Sequence, residues 1–210
     1  MTPFISVGDP FRSQWDPFEI SVFAGVAGSV ISVLNGAKRH NPARQRLLPP
    51  LSKDKNVSSE FERLAGHQIV EAKLKSLEQF QTKLVTAASN FMADDTDDDY
   101  YDLTTMADGE TPPKIELTIT KTEVQPMLQA LSAVRTYLAE ILDIATDDDS
   151  DRIYELIYAS NSPSNISGDD EPESEELQQR RFFASTYAAA GFVQETLLEA
   201  VTSQSGFGTQ

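Results

Sequence analysis

The sequence predicts a mainly α protein: a helical bundle of about four main helices, with a small antiparallel β element made of an N-terminal hairpin and a strand near 114–120. Three observations predict it. Apolar residues recur at three- to five-residue steps through several long stretches, the spacing of a helix face. Helix-start chemistry stands ahead of those stretches. One short segment, Lys114 to Thr120, instead alternates apolar Ile115, Leu117 and Ile119 with polar neighbours, the period of a strand.

At the N-terminus, two short apolar stretches flank Gly8-Asp9-Pro10, which is turn chemistry and predicts a hairpin over 3–15. Asp16 and Pro17 suit the cap and first position of a helix running to about Leu34, with Asn35-Gly36 as a glycine-type left-handed stop. That helix is apolar nearly all round and belongs at the centre of the fold. Asn41-Pro42 opens one or two helical turns, and Pro49-Pro50 closes them. Ser58 or Ser59, with Glu62 completing a capping box, begins a long helix to about Asn90. Its expected inner face is Phe61, Leu64, Ile69, Ala72, Leu77, Phe80, Leu84 and Ala88, with Gly66 as the weak point.

A second capping box, Thr120 to Glu123, starts a helix to about Leu142 with an inner stripe of Val124, Leu128, Leu131, Val134, Leu138 and Leu142. The acids at 147–151 suit the cap of a short helix, Arg152 to Tyr158. The last helix, about Glu176 to Thr202, turns Leu177, Phe183, Tyr187, Ala190, Val193, Leu197, Leu198 and Val201 inward. The whole reads as a single helical domain over 1–203, with acidic loops at about 91–113 and 159–175 and a disordered tail at 204–210.

Composition narrows the chemistry. The chain has no cysteine and only two histidines, His40 and His67. This excludes disulfides, thiolate nucleophiles, Cys-ligated metals and any thiol switch, and no cofactor or metal site is expected. The formal net charge is −16, unfavourable for free nucleic acid. The charge is uneven, however. Residues 37–75 hold nine basic and four acidic residues, net +5, against −21 for the rest. The most apolar run, Ile20 to Leu34, has 15 uncharged residues, short of the ~20 that span a bilayer. With no basic leader before it, a core helix in a cytoplasmic protein without a membrane role is expected.

No motif carries catalysis. Asp95-x-Asp97-x-Asp99 begins like a calcium loop, but its sixth and twelfth places are Tyr100 and Met106; Asp147-x-Asp149-x-Asp151 fails in the same way at Arg152 and Tyr158. No nucleophile elbow, phosphate loop or dinucleotide fingerprint is present. Charged residues on apolar stripes are the better candidates: Arg135 beside Val134 and Leu138, and Lys73 beside Ala72. Within the basic segment Arg44 and Arg46 could reach phosphates, although the proline pair spoils a helix-turn-helix.

The ordered set "ARQRLLPP", "EFERLAGHQIVEAKLKSLEQF", "IELTITKTEVQPMLQALSAVRTYLAEIL" and "FVQETLLEAV" resembles the actinobacterial domain-of-unknown-function family 2017, across most of the chain apart from the acidic insertions. Positions matching its pattern include Arg44, Leu47, Leu48, Pro49, Glu60, Phe61, Arg63, Lys73, Arg135, Gln194 and Glu195. The family is often encoded near the ClpS protease adaptor, and its best-described branch is the AosR-like oxidative-stress regulators. The resemblance implies a regulator of transcription acting through a protein partner, such as a stress sigma factor or another transcription or proteolysis component. It assigns no active site.

The leading expectation is therefore a non-enzymatic regulatory or adaptor protein working through protein–protein contacts, with a homodimer as a further arrangement. Arg44, Arg46, Arg63, Lys73 and Arg135 are its candidate partner-binding residues. It predicts an exposed apolar patch beside the basic segment, and no deep polar pocket. The alternatives are a DNA-binding regulator using residues 37–75 and a carboxylate-dependent hydrolase.

Overall fold

A computed structural model describes residues 1–6, 8–38, 40–50, 52–94, 113–159 and 174–205. Strands β1 (Ile5–Ser6) and β2 (Phe11–Trp15) form the expected hairpin. Gly8 at its turn has φ of +79°, which glycine adopts without the penalty of a Cβ. β2 also pairs antiparallel with β3 (Ile115–Ile119), in register Phe11↔Ile119 through Trp15↔Ile115, giving the sheet order β1-β2-β3. Alternate residues of β2 and β3 turn inward, so Phe11, Trp15, Ile115, Leu117 and Ile119 enter the core. Ser13 is buried among them because it bridges: its hydroxyl donates to the Thr2 carbonyl at 2.6 Å and accepts from the Trp15 indole at 3.0 Å.

Helix α1 (Pro17–Gly36) starts as its sequence dictates. Asp16 accepts from the Glu19 amide at 2.7 Å, and Glu19 accepts from the Asp16 amide at 2.8 Å. Among the described residues it is the one helix long and apolar enough to cross a membrane, and Ile20, Phe23, Val26, Ala27, Val30 and Leu34 are built into the core. Its end differs from expectation. Gly36 is the last helical residue and the cap, Ala37, is extended, with no left-handed glycine. The physical reason lies in α2 (Pro42–Leu47): the Arg44 guanidinium donates to the carbonyls of Leu34 and Val33, satisfying the helix end from outside. Asn41 caps α2 through the Arg44 amide at 2.9 Å.

Helix α3 (Lys55–Asp94) is 40 residues long and continuous through Gly66. It begins before Ser59, so the expected capping box lies inside the helix. Asp54 supplies the start instead, accepting from the Asn56 amide at 2.8 Å. At its other end α3 takes in the first residues assigned to the acidic loop. The remainder of that loop, with the Asp95-to-Asp99 motif and Met106, lies outside the described residues.

Helix α4 (Lys121–Ile141) opens on Glu123, whose carboxylate accepts from the Thr120 amide and hydroxyl, both at 2.8 Å. Leu131, Val134, Leu138 and Leu142 are buried as expected, joined by Met127, Ala130, Ala133 and Ala139; Val124 and Leu128 are half-buried. Helix α5 (Asp147–Ala159) is longer than predicted. The acids at 147–151 form its first turns, while Thr146 is the cap and Asp149 closes its box. Helix α6 (Glu175–Ser205) buries Ala184, Tyr187, Ala190, Val193 and Leu197 but leaves Leu177 and Leu198 exposed, contrary to the expected face. It also takes in Gln204, assigned to the tail, whose amide ties the helix to the hairpin through Ser6 and Gly8. The rest of the tail and the loop at 160–173 lie outside the described residues.

The helices pack around one apolar core, with α1 against α3, α3 against α4 and α4 against α6. Two polar ties lock α3 to α4: Ser76 to Gln129 at 2.8 Å and Lys83 to Glu123 at 2.8 Å.

Candidate partner-binding surface

The five basic residues singled out by the sequence fall into three separate places. Arg44 and Arg46 are both spent inside the fold. Arg44 caps α1 as described. Arg46 pairs with Glu140 at 3.3 Å and donates to the Ile144 carbonyl just past the end of α4. A guanidinium at a helix C-terminus answers both the unpaired carbonyls and the negative end of the helix dipole. Arg180 adds a third such contact, to the Leu142 carbonyl at 3.3 Å. The pair proposed for phosphates therefore faces helix ends.

Arg63 and Lys73 belong to the first half of α3, and here the sequence expectation needs its largest correction. Burial in α3 begins only at Ser76 and Leu77 and continues through Phe80 and Leu84. Ahead of that, Val57 (55% exposed), Phe61 (37%), Leu64 (64%) and Ile69 (36%) face solvent instead of a core. The helical period is real, but none of the residues from Lys55 to Lys75 is fully buried. Val57, Phe61 and Leu64 follow four- and three-residue steps, so they line one stripe. Lys55, Arg63, Lys73 and Lys75 belong to the same arm. Arg63 is exposed and bonded to Glu60 at 2.6 Å, which holds the Glu60 carboxyl below its ordinary range. Lys73 is half-buried, and His67 lies exposed against Glu71 at 3.2 Å.

Arg135 occupies the third place. It reaches from α4 onto α6, where Nη1 donates to Gln194 at 3.2 Å and Nη2 to the Tyr187 hydroxyl at 3.4 Å, with the guanidinium carbon 5.1 Å from the Tyr187 ring centre. Nε is buried with no hydrogen-bond partner. Among the described residues no carboxylate pairs with it. Arg135 and Gln194, both named from the family pattern, are thus in direct contact. Tyr187, Gly191, Phe192 and Leu198 around them carried no warning in the sequence, because the α4–α6 pairing that gathers them is not local.

Among the described residues two carboxyls besides Glu60 shift, both downward. For Glu123 burial acts upward but is outweighed by bonds from Lys83 and Thr120; for Asp149 the Thr146 hydroxyl and the Ala145 and Thr146 amides lower it. A general acid needs the opposite displacement. Among the described residues no group of acids and histidines is arranged to hold a metal ion.

Compared with known proteins, the chain matches one family model, that of the Domain of unknown function (DUF2017), over residues 1–201. No curated protein and no solved structure matches it.

Proposed function

The chain belongs to the DUF2017 family, and from that premise we propose that it is a non-enzymatic adaptor whose exposed α3 arm docks on a protein partner. One observation carries the reading: Val57, Phe61, Leu64 and Ile69 stand in solvent along the first half of a helix whose second half is core. Full burial of such a side chain is worth roughly 1.5–3 kcal/mol relative to full exposure, so a surface that covers these partly exposed residues gains a fraction of that for each, most for Val57 and Leu64. The arm carries both signs, with Lys55, Arg63, Lys73 and Lys75 beside Glu60, Glu62 and Glu71, so the apolar stripe sets the partner's character, an apolar groove that meets an amphipathic helix. Through the AosR-like resemblance, the partner we propose is a cytoplasmic component of the transcription machinery, a stress sigma factor first. Without cysteine, any response to oxidants comes from the partner or from methionine.

The test is affinity recovery of the tagged chain from an actinobacterial lysate, with and without nuclease, beside a Phe61→Glu/Leu64→Glu variant. The expected result is a nuclease-resistant partner lost in the variant, with thermal stability within about 0.5 kcal/mol of the parent, as for surface changes. Recovery that nuclease abolishes, or a partner retained by the variant, would sink the proposal. A stoichiometric dimer dispersed by the same two changes would hand the arm to a second copy of the chain.

A further inference from the structure

We propose that the cleft floored by Arg135 binds a small zwitterionic ligand, one carboxylate and one ammonium joined by a short apolar body, as in amino acids. The cleft, about 970 Å³, is lined by Arg135, Gly191, Gln194, Glu195, Phe192 and Leu198 among others. Its volume falls within the range of small-molecule sites.

The floor supplies an anion receptor. Arg135 has no carboxylate partner among the described residues, and its two terminal nitrogens carry one bond each, to Gln194 and to Tyr187, so each keeps an N–H for a ligand, while Nε is shut away from the cleft. Gln194 accepts from Arg135 through its oxygen, which leaves its amide N–H groups to donate elsewhere. Gly191 keeps the floor open. A Cβ there would rest 3.6 Å from the guanidinium carbon and 3.7 Å from Nε, fitting without a clash while covering the face of the group.

The walls carry the opposite charge. Glu195 and Glu199 line the same cleft, one and two turns along α6 from Gly191, and neither has an ion-pair partner among the described residues. An anion on Arg135 meets these like charges, and a cation beside them meets Arg135. Met1 and Glu19 also line the cleft, but the Met1 ammonium is spent on Glu19, so a ligand carrying both charges answers Arg135 and the two unpaired carboxylates. Tyr154 (40% exposed), Phe192 (39%) and Leu198 (44%) give its carbon body an apolar surface.

The experiment is calorimetric titration of the full chain with leucine and 5-aminopentanoate, which hold the two charges at different separations, and with pentanoate and pentylamine, which carry one charge each. At least one zwitterion is expected to bind about tenfold more tightly than either single-charge probe, the increment of one charge-assisted bond. Arg135→Met is expected to abolish binding. Gly191→Ala guards against a folding artefact: alanine raises helix stability, so melting temperature should rise while affinity falls about tenfold. Pentanoate binding as well as the zwitterions, none of the four probes binding, or Gly191→Ala leaving affinity unchanged would each overturn the proposal.

Discussion

Arg46 donates to the main-chain carbonyl of Ile144, a residue 98 positions further along the chain. With its ion pair to Glu140, the contact makes a six-residue helix the clasp for the end of α4. Arg46→Met is expected to cost about 1.5–3 kcal/mol, the range for hydrogen bonds to charged groups. Arg46→Lys should recover only part of it, since an ammonium lacks the planar fork. Urea denaturation checks both. Unchanged stability in Arg46→Met would return this guanidinium to the list of partner-binding groups.

Acid should loosen the joint between α3 and α4. The Glu123 carboxyl sits below its ordinary value of 4.5: burial acts against that, but the bonds from Lys83 and Thr120 outweigh it. A carboxyl lowered by folding contributes stability above its unfolded pKa and loses it as pH falls through the folded value. The expected signature is a stability curve flat above about pH 5 and falling below it. Glu123→Gln should be less stable at neutral pH and show a shallower fall. Thermal melts of both proteins across the acid range measure it. Parallel curves would mean the carboxylate adds nothing specific.

Hydrogen exchange should divide α3 in two. Amides of 57–72 have no buried side chains above them, whereas those of 76–88 lie over Leu77, Phe80 and Leu84. Local opening needs less free energy where fewer apolar contacts break. The first stretch is expected to exchange at least about tenfold faster, an opening difference of roughly 1.4 kcal/mol. Saturating amounts of the arm's partner should erase the contrast. Uniform protection in the free chain would contradict an uncovered arm.

Much of this architecture could be read from local residues. Asp16-Pro17, Asn41-Pro42 and Thr120 with Glu123 act within one helical turn, and the structure uses each as a helix start. The inward faces of β3 and α4 followed from period alone. What failed depended on residues beyond the single turn being read. Gly36 needed no left-handed cap because Arg44 reaches its helix end, and Ser59 lost its role to Asp54. Phe61 and Leu64 have helical spacing whether or not anything covers them, so periodicity could not place them in solvent. Leu198 was misjudged for the same reason. The cleft was the least legible part, since Arg135 meets Gln194 across 59 residues and only tertiary packing makes that pair.

The central strand of the sheet also imposes a schedule. Phe11 lies opposite Ile119, so the strand that completes the pairing emerges more than 100 residues after the one it joins. At ribosomal speeds of about 5–20 residues per second, β2 waits roughly 5–20 s for its neighbour. Throughout that interval Phe11 and Trp15 have no β3 to pack beside, and the apolar α1 follows them out of the ribosome. A cell making this protein must shield that nascent surface, by a chaperone or by a temporary collapse onto α1, until β3 arrives.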